Sequence, residues 1–225
     1  MRKYISGFAM FCLFIGFSTN TLFAGIGIKG GVSISGLLSA TADFRHFLGY
    51  EMDWLTMGNL WSFQIGVFRT FDISGHFKFQ PEIYYSNRGG DASEAFAFEK
   101  IKFKVIINYL EFPLLLKYEI PLKGSLRLNL LVGPYAALKL SAKKSGEIWG
   151  RKEVADLENV KGFDYGVIFG GGIEVSMGSG QLILELRSSY GLKNIMTMPE
   201  GFIKLYDEED FVRNFSAVIM TGYKF

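Results

Sequence analysis

Residues that could do catalytic or metal-binding chemistry are few and far apart in this sequence. His46 and His76 are its two histidines, and the strand pattern described below places them at opposite ends of the molecule, so they cannot share a metal ion. Ser39, Asp43 and His46 could form an acyl-transferring set that acts on lipid, but such residues are common in loops. The FGGGIE run at 169–174 is no dinucleotide fingerprint, because no helix is expected after it. We therefore expect no enzyme, no metal site and no cofactor.

A second set of polar residues consists of charged side chains set among glycines at alternate positions of otherwise apolar segments. In a strand, alternate positions share one face, so these charges would lie together on one side of a sheet. Acids and bases occur in equal number among them, which would allow the pairing that buried charges require. We predict that they form a polar network inside the protein, and a proton or small-ion path is the less favoured alternative. The network is predicted to contain Lys29, Glu82, Glu111, Lys117, Arg127, Glu174, Glu185 and Arg187.

The first 24 residues have the character of a secretory signal peptide. Arg2 and Lys3 precede an apolar run over about 5–17, and Ala24 is a small residue suited to cleavage. A membrane anchor is the alternative, but the run is shorter than the roughly 20 residues that span a bilayer. Cleavage would remove Cys12, the single cysteine, and would leave 22 basic against 22 acidic residues, because the 24 Lys and Arg lose two. Without a basic excess, nucleic acid is not an expected partner.

Residues 25–225 are predicted to form one all-β domain. Apolar and polar residues alternate with a period of two in segment after segment, which is typical of strands with two different faces. The segment from 101 changes its apolar phase after Ile107, which predicts a bulge near Ile107 to Tyr109. The eight predicted strands are 25–36, 61–71, 76–88, 101–120, 126–140, 163–177, 181–192 and 211–225.

The connections between these strands alternate in length. Three are tight and contain glycine, at 72–75, 121–124 and 178–180, as short hairpin turns require. Four are long, at about 37–60, 89–100, 141–162 and 193–210. With eight strands, all short turns and both termini fall at one end. We predict an eight-stranded antiparallel up-and-down transmembrane β-barrel with short periplasmic turns and long extracellular loops.

The two faces of the strands indicate which side meets lipid. Small residues and charges of both signs suit the narrow, filled interior of an eight-stranded barrel. The opposite faces carry Leu, Ile, Val, Phe and Tyr with almost no charge, which is expected where a charge at the lipid midplane costs roughly 2–4 kcal/mol. We therefore expect a monomeric integral protein of the Gram-negative outer membrane, in contact with outer-membrane lipid.

The chain ends in TGYKF (221–225), and chain ends usually fray into water. A closed barrel must instead pair its last strand with its first, which would place Tyr223 and Phe225 in the aromatic girdle of the membrane interface. This ending also resembles the C-terminal signal that the outer-membrane barrel assembly machinery recognises. We expect that machinery to be a partner.

Several motifs together resemble the PorT-like family of small outer-membrane β-barrel proteins. They are GIKGGVSIS (27–35), FQPEIYYSNRGG (79–90), NYLEFPLLLKYEI (108–120), GPYAALKL (133–140), FDYGVIFGGGIE (163–174), SSYGLKNI (188–195) and the closing GYKF. The resemblance implies an eight-stranded barrel and little about activity, although PorT itself is linked to protein secretion.

The functions that remain open differ in class. We expect a structural or binding role in which the long loops contact a ligand, a surface or another envelope protein. A component of a protein secretion or export apparatus is the alternative that the family resemblance implies. A surface lipid-modifying enzyme and a channel follow, and the small diameter of the lumen disfavours the channel.

Overall fold

A computed structural model of the chain describes residues 25–39, 58–96, 99–148, 151–196 and 212–225. Its ten strand segments form one antiparallel sheet. No helix in the described ranges is long and apolar enough to cross a membrane. The segments are β1 (Ile26–Ser39), β2 (Gly58–Arg69), β3 (Phe71–Ser74), β4 (Phe77–Phe96), β5 (Glu99–Pro121), β6 (Leu126–Ile148), β7 (Arg151–Asp156), β8 (Phe163–Met177), β9 (Gly180–Gly191) and β10 (Val212–Lys224).

The sheet closes on itself into a barrel of eight strands. β1 pairs with β10 along its whole length, from Gly27↔Lys224 to Ser39↔Val212, and β2 closes the other side by pairing with both β1 and β4. β3 continues β2 alongside β4, and β7 and β8 both lie along β6, so ten segments make eight strands of wall. The predicted closed eight-stranded antiparallel barrel is confirmed.

The two ends of the barrel differ. Short turns join β3 to β4, β5 to β6 and β8 to β9, and both described termini lie beside them; we call this the short-turn end. Gly75 and Gly124 stand in two of these turns with φ of 53° and 73°, a conformation that favours glycine. The opposite, long-loop end carries the predicted loops. Two of these fall largely on 40–57 and 197–211, which lie outside the described residues.

The other two predicted loops are largely strand. β4 and β5 remain paired as far as Phe96↔Glu99, and β6 and β7 as far as Ile148↔Arg151. The polar sequences at 89–100 and 141–162 suggested loops because they lack a clear apolar face. A sheet that rises above the barrel needs no such face. We call this part of the wall, residues 91–96, 99–104, 143–148 and 151–156, the raised sheet.

The predicted bulge lies on a different strand from the one expected. β5 keeps its phase, with Val105, Ile107 and Tyr109 all buried inside the barrel. The irregularity falls opposite, on β6, where Asn108 pairs with Ser141 but Tyr109 pairs with Lys139. Leu140 is therefore the extra residue, and the inward phase of β6 changes there. Apolar residues on β5 suggested a phase change because the upper interior of the barrel is itself apolar.

The outward face of the wall is apolar and the inward face is polar. Leu186 and Ile219 are 60% and 62% exposed on the outside, whereas Lys117 and Glu174 are fully buried inside. A soluble protein rarely exposes contiguous apolar surface on this scale. The surface is that of a barrel whose outside is covered by lipid.

Candidate functional site

The interior is filled by four layers of side chains, described here from the long-loop end to the short-turn end. The first is an apolar cap. Its main chain is held by hydrogen bonds: the Leu157 NH donates to the Ala142 carbonyl at 2.9 Å, and the Ile195 NH donates to the Val212 carbonyl at 2.9 Å. These bonds place residues of the connections over the inward side chains of β5. The buried members of the cap are Val105, Ile107, Ala142, Leu157, Val160, Ile195, Met196 and Val212.

Below the cap lies an upper cluster around the Arg88–Glu111 ion pair. The Arg88 guanidinium donates from Nε and Nη2 to the two carboxylate oxygens of Glu111, at 2.7 and 2.8 Å. Ser86 Oγ donates to the same carboxylate, and Arg88 stacks 4.9 Å from the centre of the Tyr135 ring. The Tyr135 hydroxyl donates to Asp164 at 3.2 Å. Every member is buried.

The same cluster reaches across the lumen to the last strand. The Asn214 amide donates to Asp164 Oδ2 at 2.8 Å and to the Tyr109 hydroxyl at 3.2 Å. The backbone NH of Tyr165 donates to the second oxygen of Asp164 at 2.8 Å. Asp164 is therefore held by neutral donors rather than by a bonded cation. These contacts tie β5, β6, β8 and β10 together across the barrel.

A central quartet of charges follows, made of Lys29, Glu82, Glu185 and Arg187. Lys29 Nζ lies 2.7 Å from Glu185 and 3.5 Å from Glu82. Arg187 donates to both oxygens of Glu82, at 2.5 and 2.8 Å, and from Nε to Glu185 at 2.8 Å. Each cation thus contacts each carboxylate. The quartet is neutral, buried and linked across β1, β4 and β9.

The last layer is a ladder of alternating charges that leads to the short-turn end. Lys224 lies 3.2 Å from Glu174, and Glu174 also binds Lys117. Lys117 lies 3.0 Å from Glu119, which lies 3.3 Å from Lys78. The ladder ends outside the barrel at Asp72, whose exposed carboxylate accepts a hydrogen bond from Lys78, and this bond lowers the pKa of Asp72. We call these six residues the lower ladder.

The structure places seven of the eight residues of the predicted network in these layers. Arg127 is the exception: it faces the lumen on β6 opposite Glu174, but it is half-buried, and no carboxylate of the described chain lies within ion-pair distance of it. Five charged residues were missed by the sequence analysis, although their position on inward faces could have revealed them. They are Lys78, Arg88, Glu119, Asp164 and Lys224.

The packing leaves little free volume between the upper cluster and the central quartet. The cavity there has a volume of about 10 Å³, and Tyr84, Arg88, Glu111 and Arg187 help to line it. This is about the space of one water molecule. Paired charges packed this tightly fill the lumen at this level of the barrel.

The residues with catalytic potential are not brought together in the described part of the chain. His76 lies at the short-turn end, where its ring packs edge-on against Tyr118 with centroids 5.8 Å apart. Asp43 and His46 lie outside the described residues, and Ser39 ends β1. Among the residues that the structure describes, no group of three or more His, Cys, Asp or Glu side chains could hold a metal ion.

The two C-terminal aromatics lie on the outer face at the short-turn end. The rings of Tyr223 and Phe225 pack edge to face with centroids 5.2 Å apart. The Tyr223 hydroxyl donates to the Met177 carbonyl at 3.3 Å, which links the last strand to the neighbouring turn. Phe225 is 59% exposed. The last strand is thus part of the wall up to its final residues.

Comparison with known proteins gives one family and several solved structures. The model of the outer membrane protein beta-barrel domain family matches residues 17–197. No curated protein matches the sequence. The neisserial surface protein NspA has a TM-score of 0.45 at 13% identity, over 90% of this chain and 98% of that one. Ail of Yersinia pestis, solved with the heparin analogue sucrose octasulfate, has a TM-score of 0.40 at 13% identity, over 90% and 99% of the two chains. The N-terminal barrel of Pseudomonas aeruginosa OprF has a TM-score of 0.34 at 12% identity, over 90% and 98%.

Proposed function

Because this chain belongs to the outer membrane protein beta-barrel domain family, we propose that it is a non-enzymatic barrel of the Gram-negative outer membrane that binds a partner at its long-loop end. The observation that carries the proposal is the filled interior, in which the apolar cap, two ionic clusters and a charge ladder occupy the lumen from end to end. A barrel closed in this way has its outer surfaces left for function. Transport through the barrel and catalysis within its lumen would both need space inside.

We propose that the short-turn end faces the periplasm and the long-loop end faces the cell exterior. Outer-membrane barrels have short periplasmic turns and longer external loops, and aromatic residues flank their apolar band. Tyr223 and Phe225 would then sit at the periplasmic boundary. The signal peptide predicted at 1–24, which lies outside the described residues, would deliver the chain to the periplasm for assembly into the membrane.

The raised sheet is the surface that best supports partner binding. β5 and β6 have 23 residues each, about twice the 9–11 that a tilted strand needs to cross a bilayer. Above the apolar band the outward residues become charged: Lys104 and Lys143 are exposed, and Lys143 stands opposite the exposed Asp156 of β7. A rigid sheet with polar faces, held above the membrane by continuous strands, can present side chains to another molecule without ordering a loop first.

Site-specific photocrosslinking in living cells tests this proposal. A photoreactive amino acid at Val154, which is 58% exposed on β7, should give a discrete adduct of higher mass. The same amino acid at Lys123, exposed in the turn between β5 and β6 at the opposite end, is the matched control. Adducts from Lys123 but none from Val154 would move the binding surface to the other end. Steady conductance of the purified barrel in planar bilayers would refute the closed interior.

Membership of a secretion or export apparatus is a second proposal. The resemblance to PorT-like proteins supports it, and the raised sheet offers the kind of rigid surface that a stable assembly uses. Gentle extraction of native membranes distinguishes it from the first proposal. A component of an apparatus should migrate in a complex of defined size well above that of its own 25.3 kDa chain. Migration as a monomer would favour a barrel that meets its partner only transiently.

A further inference from the structure

A slot interrupts the apolar outer face of the wall where the first strand meets the last. Gly30 of β1 and Thr221 of β10 form its floor, and they stand opposite each other in the register that closes the barrel. The slot has a volume of about 310 Å³, at the lower end of the roughly 300–1,000 Å³ of small-molecule sites. We call it the closure slot. Its walls are aliphatic and aromatic side chains, those of Ile28, Ile65, Leu182 and Tyr223.

The closure slot exists because position 30 is a glycine. A Cβ at Gly27 or Gly31 of the same strand would lie 2.3 or 2.2 Å from its nearest neighbour, so these two positions have no room for a side chain. At Gly30 the nearest atoms would be 3.6 and 3.8 Å away, which is ordinary contact, and its φ is not positive. Neither packing nor backbone conformation requires this glycine. A glycine inside a strand weakens the strand and often marks a place where a ligand approaches the backbone.

The side chains around the slot favour an apolar occupant. The Thr221 hydroxyl donates to the Ile183 carbonyl at 3.2 Å, and the Tyr223 hydroxyl donates to the Met177 carbonyl at 3.3 Å. Lys29 borders the slot, but its ammonium lies inside the barrel, 2.7 Å from Glu185. Each of these donors is therefore engaged elsewhere, and the surface left facing the slot is mainly hydrocarbon.

The slot lies in the part of the wall that lipid covers. Gly30 is four residues along from Ile26, the first residue of β1. For a strand tilted by about 40°, this places Gly30 roughly 10 Å from the short-turn end. The apolar band of such a barrel is about 25 Å tall, so the slot lies within the half of the band nearer that end. Acyl chains thus cover the wall on every side of the slot.

We propose that the closure slot binds one acyl chain of a phospholipid whose headgroup lies at the short-turn end. Under the orientation proposed above, this is a lipid of the periplasmic leaflet, although the slot itself does not depend on that orientation. Gly30 and Thr221 belong to the first and the last strand, so the site is complete only in the closed barrel. A ligand that binds only the folded state stabilises it by mass action. The bound lipid would therefore stabilise the seam between β1 and β10.

Native mass spectrometry of the folded full chain tests the site. The barrel in detergent micelles is titrated with palmitoyl-oleoyl phosphatidylethanolamine, and one lipid per barrel should be retained at saturation. Saturating lipid should also raise the urea midpoint of unfolding. A phosphatidylethanolamine with a diazirine midway along one acyl chain localises the site, because illumination should label the peptides that contain Gly30 and Thr221.

Two variants fill the slot from its two strands. Gly30→Val has room for its Cβ and should fold, but it should lose the retained lipid and the rise in midpoint. Thr221→Leu should do the same from β10. Ala217→Val adds bulk to the outer face of β10 two outward positions further from the short-turn end, and it should keep both effects. Heat-modified gel mobility checks that each variant is folded.

Several results would overturn the site. Unchanged lipid retention in both Gly30→Val and Thr221→Leu would exclude the slot. Retention that does not saturate, or an equal loss in Ala217→Val, would show only general adhesion of lipid to the wall. A dimer in analytical ultracentrifugation that Gly30→Val converts to monomers would assign the slot to a second copy of the chain instead. None of these outcomes bears on partner binding at the raised sheet, which lies at the opposite end.

Discussion

The Arg88–Glu111 pair allows a quantitative test of the role of the buried charges. The Glu111 carboxylate accepts two hydrogen bonds from Arg88 and one from Ser86, and both members of the pair are at most 2% exposed. Glu111→Ala would leave the Arg88 guanidinium with the Tyr135 hydroxyl, 3.3 Å away, as its remaining bonded partner in the described interior. The unpaired charge that stays buried destabilises the fold more than the loss of the contact itself does.

We expect Glu111→Ala to lower the free energy of unfolding by about 3–5 kcal/mol, the range for breaking a buried pair from one side. This raises the unfolding equilibrium constant roughly 10²- to 10⁴-fold, at about 1.4 kcal/mol for each factor of ten. Urea titration of the barrel in micelles, followed by heat-modified gel mobility, measures the change. Glu153→Ala on β7 is the control, because Glu153 is exposed and should change stability by less than about 0.5 kcal/mol.

A double-mutant cycle distinguishes the charge from the cavity that the mutation leaves. Arg88→Met with Glu111→Leu removes both charges and keeps most of the volume, so the double variant should be more stable than Glu111→Leu by itself. If the two substitutions were simply additive, the pair would contribute no coupling, and the account of the interior as an ionic network would fail at this cluster. Equal midpoints for Glu111→Ala and Glu153→Ala would refute it outright.

Three further predictions concern the wall. Leu186→Arg should lower the free energy of unfolding by roughly 2–4 kcal/mol and impair membrane insertion, while Val154→Arg should be neutral. Both side chains are about 60% exposed, but only Leu186 lies in the apolar band. Equal effects of the two variants in insertion assays would refute the lipid boundary. Gly66→Ala should prevent folding, because the added Cβ would collide with the Ile83 carbonyl of β4. Gly162→Ala is the control, because its Cβ would meet nothing within 4 Å and the variant should fold. The refolding yield of the two variants measures the difference. Phe225→Ala should slow assembly in cells without lowering the unfolding midpoint of the folded barrel; a pulse-chase with normal kinetics would contradict a role as an assembly signal.

Much of the fold could be predicted from the sequence because a strand alternates its side chains with a period of two. Once Glu82 is placed inward, Arg88 six residues later must also face inward, and the same rule applies from Lys117 to Glu119. Alternation and the order of short and long connections together determine the strand count, the closure and the inward set. The upper ends of β4 and β6 could not be determined in this way, because their sequences show no continuous apolar face.

Two features of the interior needed the three-dimensional structure. The first is which charges pair: Arg88 meets Glu111 because β4 and β5 have one particular register, and registers are set jointly by all neighbouring strands. The second is the apolar cap. Val105 and Ile107 suggested a lipid-facing phase, since apolar residues face outward in the membrane band. Above that band the outer face of the wall meets water, so the apolar side chains there point into the filled lumen instead.

The buried charges specify the structure more than they stabilise it. Replacing a buried ion pair by apolar side chains is often neutral, so the network need not contribute net stability. A shift of one residue in the register of a strand, however, turns its inward face outward. For β9 this would move Glu185 and Arg187 into lipid and would bring Leu184 and Leu186 against a charged interior. A basic side chain near the lipid midplane costs roughly 2–4 kcal/mol, and an acidic one costs less. Each strand that carries an inward charge has the same penalty. The ionic lumen therefore selects one register for the whole barrel, and this explains why the charges lie on most strands of the wall rather than on one.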